Sequence, residues 1–144
     1  MNQNEKIRVL YVQPGKYPEE IKIPNTLETF QKYVCGSIES VRLDREAYII
    51  CNDEGKLLPL PPNRLYGPTD FFAGPFLICG DGGEDLISLT DSQIIKYEKK
   101  YHSPLIFLEL YPKPITLKCT PELYAKCMGE EHQHDAQENE RDER

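Results

Sequence analysis

The sequence holds no pair of cysteines at CxxC spacing, no surplus of basic residues and no apolar run long enough to cross a bilayer. Each absence removes a class of protein. Its five cysteines (Cys35, Cys51, Cys79, Cys119, Cys127) are odd in number and widely spaced, so buried free thiols are expected in place of a disulfide framework or a zinc site. The longest apolar runs, Phe71 to Cys79 and Leu105 to Leu108, are far shorter than a membrane span. The opening Met-Asn-Gln-Asn-Glu-Lys has no signal-peptide core, and a cytoplasmic protein is expected. A net charge of −7 without a basic excess makes nucleic-acid backbones poor partners.

The acidity is unevenly placed. Residues 129–144 contain seven acidic and two basic residues, a charge of −5, which leaves −2 for the other 128. That acidic end has almost no apolar residues and reads as a disordered tail. The remainder, with nine tyrosines and five phenylalanines in a chain of 144 residues, can bury the core of one domain.

Periodicity predicts an α+β fold: a small, mostly antiparallel sheet packed by one central helix, plus a second helix. Lys6 to Val12 alternates, with Ile7, Val9 and Tyr11 on one face, and forms a hairpin with Glu20 to Ile23 across Pro14-Gly15. Asn25-Thr26-Leu27-Glu28 has the form of a capping box if Asn25 is the cap, and opens a helix to Cys35 with Leu27, Phe30, Gln31 and Val34 on one stripe. Ser37 to Leu43 and Glu46 to Cys51 read as paired strands. Asp53-Glu54-Gly55-Lys56 reads as a turn whose glycine supplies a positive φ, and Leu57 to Pro62 as extended chain. A doubly buried strand should start near Phe76, because Pro75 has no N–H to give a ladder. Thr90-Asp91-Ser92-Gln93 caps the second helix, whose inner side carries Ile94, Tyr97 and Tyr101. The chain thus divides into a domain over residues 6–103, a proline-containing extension over 104–128 with a strand from Leu105 and a short helix from Pro121 to Met128, and the tail from 129.

The densest polar segment lies between two apolar stretches: Cys51-Asn52-Asp53-Glu54-Gly55-Lys56 followed by Leu60-Pro61-Pro62-Asn63-Arg64. Asn52, Lys56, Asn63 and Arg64 are the candidate binding residues, able to converge on an anion or a peptide carboxylate with Arg as a bidentate fork and Lys as a point charge. The competing reading makes the first half a turn and has Asn63 or Arg64 tie down the proline-rich strap. No catalytic residue and no cofactor is assigned. Cys35 falls at a helix C-terminus, where the dipole disfavours a thiolate. His102 has no partner at motif spacing. His132 and His134 with Cys127 make a weak metal set, and Asp81, Glu84 and Asp85 lack the alternation of a calcium loop. Tyr11, Tyr17, Tyr33, Tyr48 and Tyr66 are candidates for a contact surface, as tyrosine is enriched at interfaces.

Six motifs in order, Asn25-Thr26-Leu27-Glu28, Gly36-Ser37-Ile38-Glu39, Cys51 to Lys56, Leu60 to Arg64, Gly74-Pro75-Phe76-Leu77-Ile78-Cys79-Gly80 and Ser88-Leu89-Thr90-Asp91, carry a resemblance over about Ile7 to His102. The chain resembles an uncharacterised family of small proteins, a domain of unknown function found on phages, plasmids and conjugative elements of gut Firmicutes. It departs from the pattern at Cys35, where the family usually has the first glycine of a pair, in a shorter section between Arg64 and Asp70, and in the extension after Ser103. The resemblance implies a non-enzymatic interaction protein of a mobile element, with a host or competing-element protein as partner and a counter-defence role of anti-CRISPR or anti-restriction type. The alternative is a small-ligand or nucleotide-binding module, with Lys56 and Arg64 on a phosphate.

Overall fold

The computed structural model describes residues 5–137. Its centre is an antiparallel sheet of β1 (Lys6–Val12), β2 (Glu19–Pro24), β3 (Ile38–Asp44), β4 (Ala47–Asn52) and β7 (Phe76–Asp81) in the order β2-β1-β7-β4-β3, with the two-residue β8 (Leu86–Ile87) also paired to β7. The continuously apolar strand β7 is central, as its sequence demands. Alternate residues feed two cores. Ile7, Val9, Ile50, Leu77 and Cys79 pack on one face with Phe30 of α1 (Leu27–Val34), and Leu10, Val12, Ile49, Phe76 and Ile78 on the other with Tyr97 of α2 (Asp91–Lys100) and with Tyr101. Burying a side chain such as Phe76, which is fully enclosed, contributes about 2–3 kcal/mol. The fold is α+β.

The helix caps differ from one another. Thr90 closes a complete capping box, accepting from the Gln93 N–H at 3.2 Å while Gln93 Oε1 accepts from the Thr90 N–H at 2.8 Å. At α1 the cap is Thr26, not Asn25: the Thr26 hydroxyl accepts from the Thr29 N–H at 3.2 Å, and Asn25 Nδ2 donates to Leu86 O instead. Phe30 and Val34 are buried as expected, but Leu27, in the first turn, is exposed. The helix ends on Cys35, in the left-handed region at φ 70°, where a glycine would sit without strain.

Two segments depart from the sequence reading. Leu57 to Pro59 is not extended but coiled into turns, with the Leu57 and Leu58 N–H groups both donating to Glu54 O at 3.0 Å and the Leu60 N–H to Gly55 O. Gly55 is required for close approach and has no positive φ: a Cβ there would stand 2.6 Å from the Ala73 carbonyl oxygen. The run before Phe76 also contains a separate strand, β6 (Asp70–Ala73), which pairs antiparallel with β5 (Pro62–Tyr66) and packs against the α2 side of the sheet through Phe72.

Residues after Ser103 pack onto the domain. The hairpin of β9 (Leu105–Glu109) and β10 (Ile115–Lys118) sets Phe107 and Tyr111 against Phe71, with ring centroids 5.7 and 6.1 Å apart. Helix α3 (Pro121–Gln137) brings Tyr124 against Gly15 and continues beyond the Met128 end expected from the sequence. The tail expected to be disordered from residue 129 is thus helical as far as Gln137, and its remainder lies outside the described residues. No helix among the described residues is long and apolar enough to cross a membrane.

Candidate functional site

The four polar residues singled out in the sequence separate into two places. Asn52 ends β4 beneath α1. Its Nδ2 donates to Val34 O at 3.1 Å, filling a helix C-terminal carbonyl, while its Oδ1 accepts from the Glu54 N–H at 2.7 Å. One amide side chain thus closes a helix and opens the following turn. Lys56 stands nearby, pairs with Asp70 and lies 4.5 Å over the Phe71 ring.

Asn63 and Arg64 belong to β5, on the α2 side. Asn63 Nδ2 donates to both Val12 O and Gly74 O at 2.9 Å, and Gly74, at φ 87°, would place a Cβ 2.5 Å from Leu60. The Leu60-to-Arg64 and Gly74-Pro75 motifs are therefore one structural unit. Arg64 Nε donates to Tyr101 O at 3.0 Å, one Nη to Asn63 Oδ1 at 2.9 Å and the other to Lys16 O at 2.7 Å.

Asn52, Asn63 and Arg64 are 7%, 1% and 2% exposed, so they form no outer contact surface. Their donors are turned inward to backbone carbonyls, which are costly to leave unpaired inside a protein. Of the four, Lys56 alone is exposed, and Asp70 already neutralises it. The expected convergence on a single anion does not occur.

Two clefts flank these residues. One, of about 220 Å³, is lined by Asn52 and Lys56 together with Glu39, Asp53, Glu54 and Asp70. Four carboxylates against one ammonium make it acidic. The Lys56 ammonium and the Phe71 N–H, against a smaller opposing effect of burial, hold the Asp70 carboxyl below its ordinary range. The second cleft, of about 340 Å³, opens at the C-terminal end of α2 between Arg64, Lys99, Lys100, His102, Ser103 and Lys118, and no carboxylate lines it. Burial lowers the Arg64 pKa to about 10, leaving the guanidinium charged at neutral pH.

Other candidates resolve into packing. Cys51 and Cys79 are buried thiols whose pKa values burial pushes up to about 12, while Cys35 is exposed; all five thiols are free. His102 stacks on Tyr17 with centroids 4.6 Å apart and its Nδ1 meets Glu98 Oε2 at 2.8 Å. Asp81 accepts from the Gly83 N–H and pairs with Arg42 at 3.0 Å, which ties down the acidic loop. Tyr17 and Tyr66 are exposed, whereas Tyr11, Tyr33 and Tyr48 are half-buried. Among the described residues no three His, Cys, Asp or Glu side chains could hold one metal ion, and the side chains of His132 and His134 lie outside those residues. Sequence reasoning missed Lys99, Lys100 and Lys118. The adjacent pair was visible as a basic helix end, but only the fold brings Lys118 to it.

No curated protein and no solved structure matches the chain. Residues 7–102, which carry the sheet, both helices facing it and both buried polar clusters, match the Domain of unknown function (DUF3846), and the chain belongs to that family.

Proposed function

We propose that the protein is a non-enzymatic interaction protein that grips another protein through the outer face of the β9–β10 hairpin. The observation that carries this reading is a group of exposed apolar side chains on one small element, beside others spread singly or in pairs over the fold. Leu108, Tyr111, Ile115 and Leu117 are between 44% and 66% exposed, and the hairpin register sets Leu117 opposite Ile106 and Ile115 opposite Glu109. Single exposed apolar residues are ordinary, but four on one hairpin are a docking feature. Among the described residues β10 pairs only with β9, so an extended partner segment can also add to its free edge.

This hairpin lies beyond residue 102, outside the part shared with the family. The shared domain is then a scaffold, and the appended hairpin chooses the partner. With the mobile-element setting that the resemblance implies, the fitting partner is a host or competing-element protein, and the role counter-defence of the anti-CRISPR or anti-restriction kind. The test is capture of a partner by the full-length protein followed by pairwise reconstitution with that purified partner. Leu108→Asp with Leu117→Asp should abolish the reconstituted binding while leaving the circular dichroism spectrum intact. Undiminished binding by that variant, or assembly with a second copy of this chain alone, contradicts the reading.

A further inference from the structure

The basic cleft is separate from that hairpin face in its chemistry. Its floor is a buried cation without an anion: Arg64 is met by Tyr101 O, Lys16 O and the Asn63 side chain, all neutral acceptors, and it makes no salt bridge with a carboxylate among the described residues. Buried charges are ordinarily paired, and one that is not raises the local potential. Above it stand Lys99, Lys100 and Lys118, each exposed and each without a carboxylate partner among the described residues. Elsewhere in the same molecule Arg8, Arg42, Lys56 and Lys96 have such partners, while several exposed cations, Lys22 and Lys32 among them, have none among the described residues; what sets this group apart is that its unpaired cations line one cleft.

A simpler use for lysines at this place would be to complement the C-terminal dipole of α2. That end is already served, since the Tyr101 carbonyl accepts from Arg64 Nε. Lys118, moreover, comes from β10 and is no part of the helix. The cavity of about 340 Å³ is of small-molecule size. Leu65 and Leu105 give it apolar wall, Ser103 a hydroxyl, and the His102 ring, stacked on Tyr17, a flat edge. A long polyanion such as nucleic acid suits the site less well, because the chain as a whole carries −7.

We propose that this cleft binds a small phosphorylated ligand of nucleotide size, its phosphoryl oxygens held by Lys99, Lys100 and Lys118 above the charge of Arg64. Ammonium groups serve as point charges for phosphate, and three of them match a group bearing at least two negative charges.

Calorimetric titration of the full-length protein with ATP and with pyrophosphate, both in EDTA at fixed ionic strength, tests the assignment. Expected is saturable one-to-one binding of ATP that weakens by at least about tenfold in a Lys99→Gln, Lys100→Gln, Lys118→Gln variant. These side chains are exposed, so the variant should melt at an unchanged temperature without ligand. A control variant, Lys22→Gln with Lys32→Gln, should bind as the parent does. Tighter binding of ATP than of pyrophosphate supports a nucleotide-sized ligand, and equal affinity overturns that part by assigning recognition to phosphate alone. Absence of saturable binding by either probe, binding that survives the triple variant, or equal loss in the control overturns the site.

Discussion

The two clefts are built alike and charged oppositely. In each, a buried side chain reaches from a strand to the C-terminal carbonyls of a helix: Asn52 from β4 to Val34 O, and Arg64 from β5 to Tyr101 O. The neutral amide sits beneath a mouth of four carboxylates and one ammonium, the guanidinium beneath three ammoniums. Closing a helix end therefore does not require charge, since Asn52 does it without. The charge of Arg64 is an additional property of that cleft, and it is spent on no carboxylate.

The Asn63–Arg64 cluster is the more heavily bonded of the two. Asn63→Ala removes this partner from Val12 O and Gly74 O and leaves one Arg64 Nη only the Asn63 carbonyl at 3.4 Å, and should lower the unfolding free energy in urea by about 3 kcal/mol. Asn52→Ala loses one carbonyl bond and one turn bond, for which about 1–2 kcal/mol is expected in the same assay. A larger loss at Asn52 than at Asn63 would reverse the ranking of the two clusters.

The helix end above Asn52 offers a gain. Cys35 holds a left-handed conformation that costs a side chain energy, and Cys35→Gly should raise stability by roughly 0.5–1 kcal/mol. An unchanged or lowered midpoint would show that the Cys35 side chain contributes packing to that end. The smallest effect is expected at the acidic mouth. Lys56→Ala removes an exposed ion pair and should alter stability by less than about 0.5 kcal/mol.

That substitution carries a sharper signature in titration. The folded Asp70 carboxyl is depressed, first by the Lys56 ammonium and also by the Phe71 N–H. Its contribution is thus present above the unfolded carboxyl pKa and is lost as pH falls through the lower folded value. In Lys56→Ala the Asp70 pKa, followed by carbon-detected NMR, should move back up toward the ordinary carboxylate range. An unmoved value would mean that Lys56 does not hold Asp70 in solution.

Much of the fold was readable because burial leaves a period in the residues. Ile7, Val9 and Tyr11 announced one face of β1, the unbroken run after Pro75 announced a strand covered on both sides, and Thr90-to-Gln93 announced its cap. The β5–β6 hairpin was hidden: Phe71 and Phe72 merge with the apolar run of β7, and only the break at Gly74 separates them. The candidate site was readable as a set of polar residues but not in its use. What decides the fate of Asn63 and Arg64 is the position of carbonyls at Val12, Lys16, Gly74 and Tyr101, between 11 and 51 residues away along the chain. Carbonyls belong to every residue and leave no mark in sequence. For the same reason the basic cleft could not be assembled in advance, since Lys118 meets Lys99 only once β10 has folded back.

The proposed anion site lies at the charge left unspent at Arg64 and not at the polar segment around Lys56. Amide chemical-shift mapping during a pyrophosphate titration tests it most directly. Saturating shifts are expected at residues 64–67, 99–103 and 118 alone, with residues 53–57 and 70 unmoved. Shifts centred on Lys56 and Asp70, or none that saturate anywhere, would contradict it.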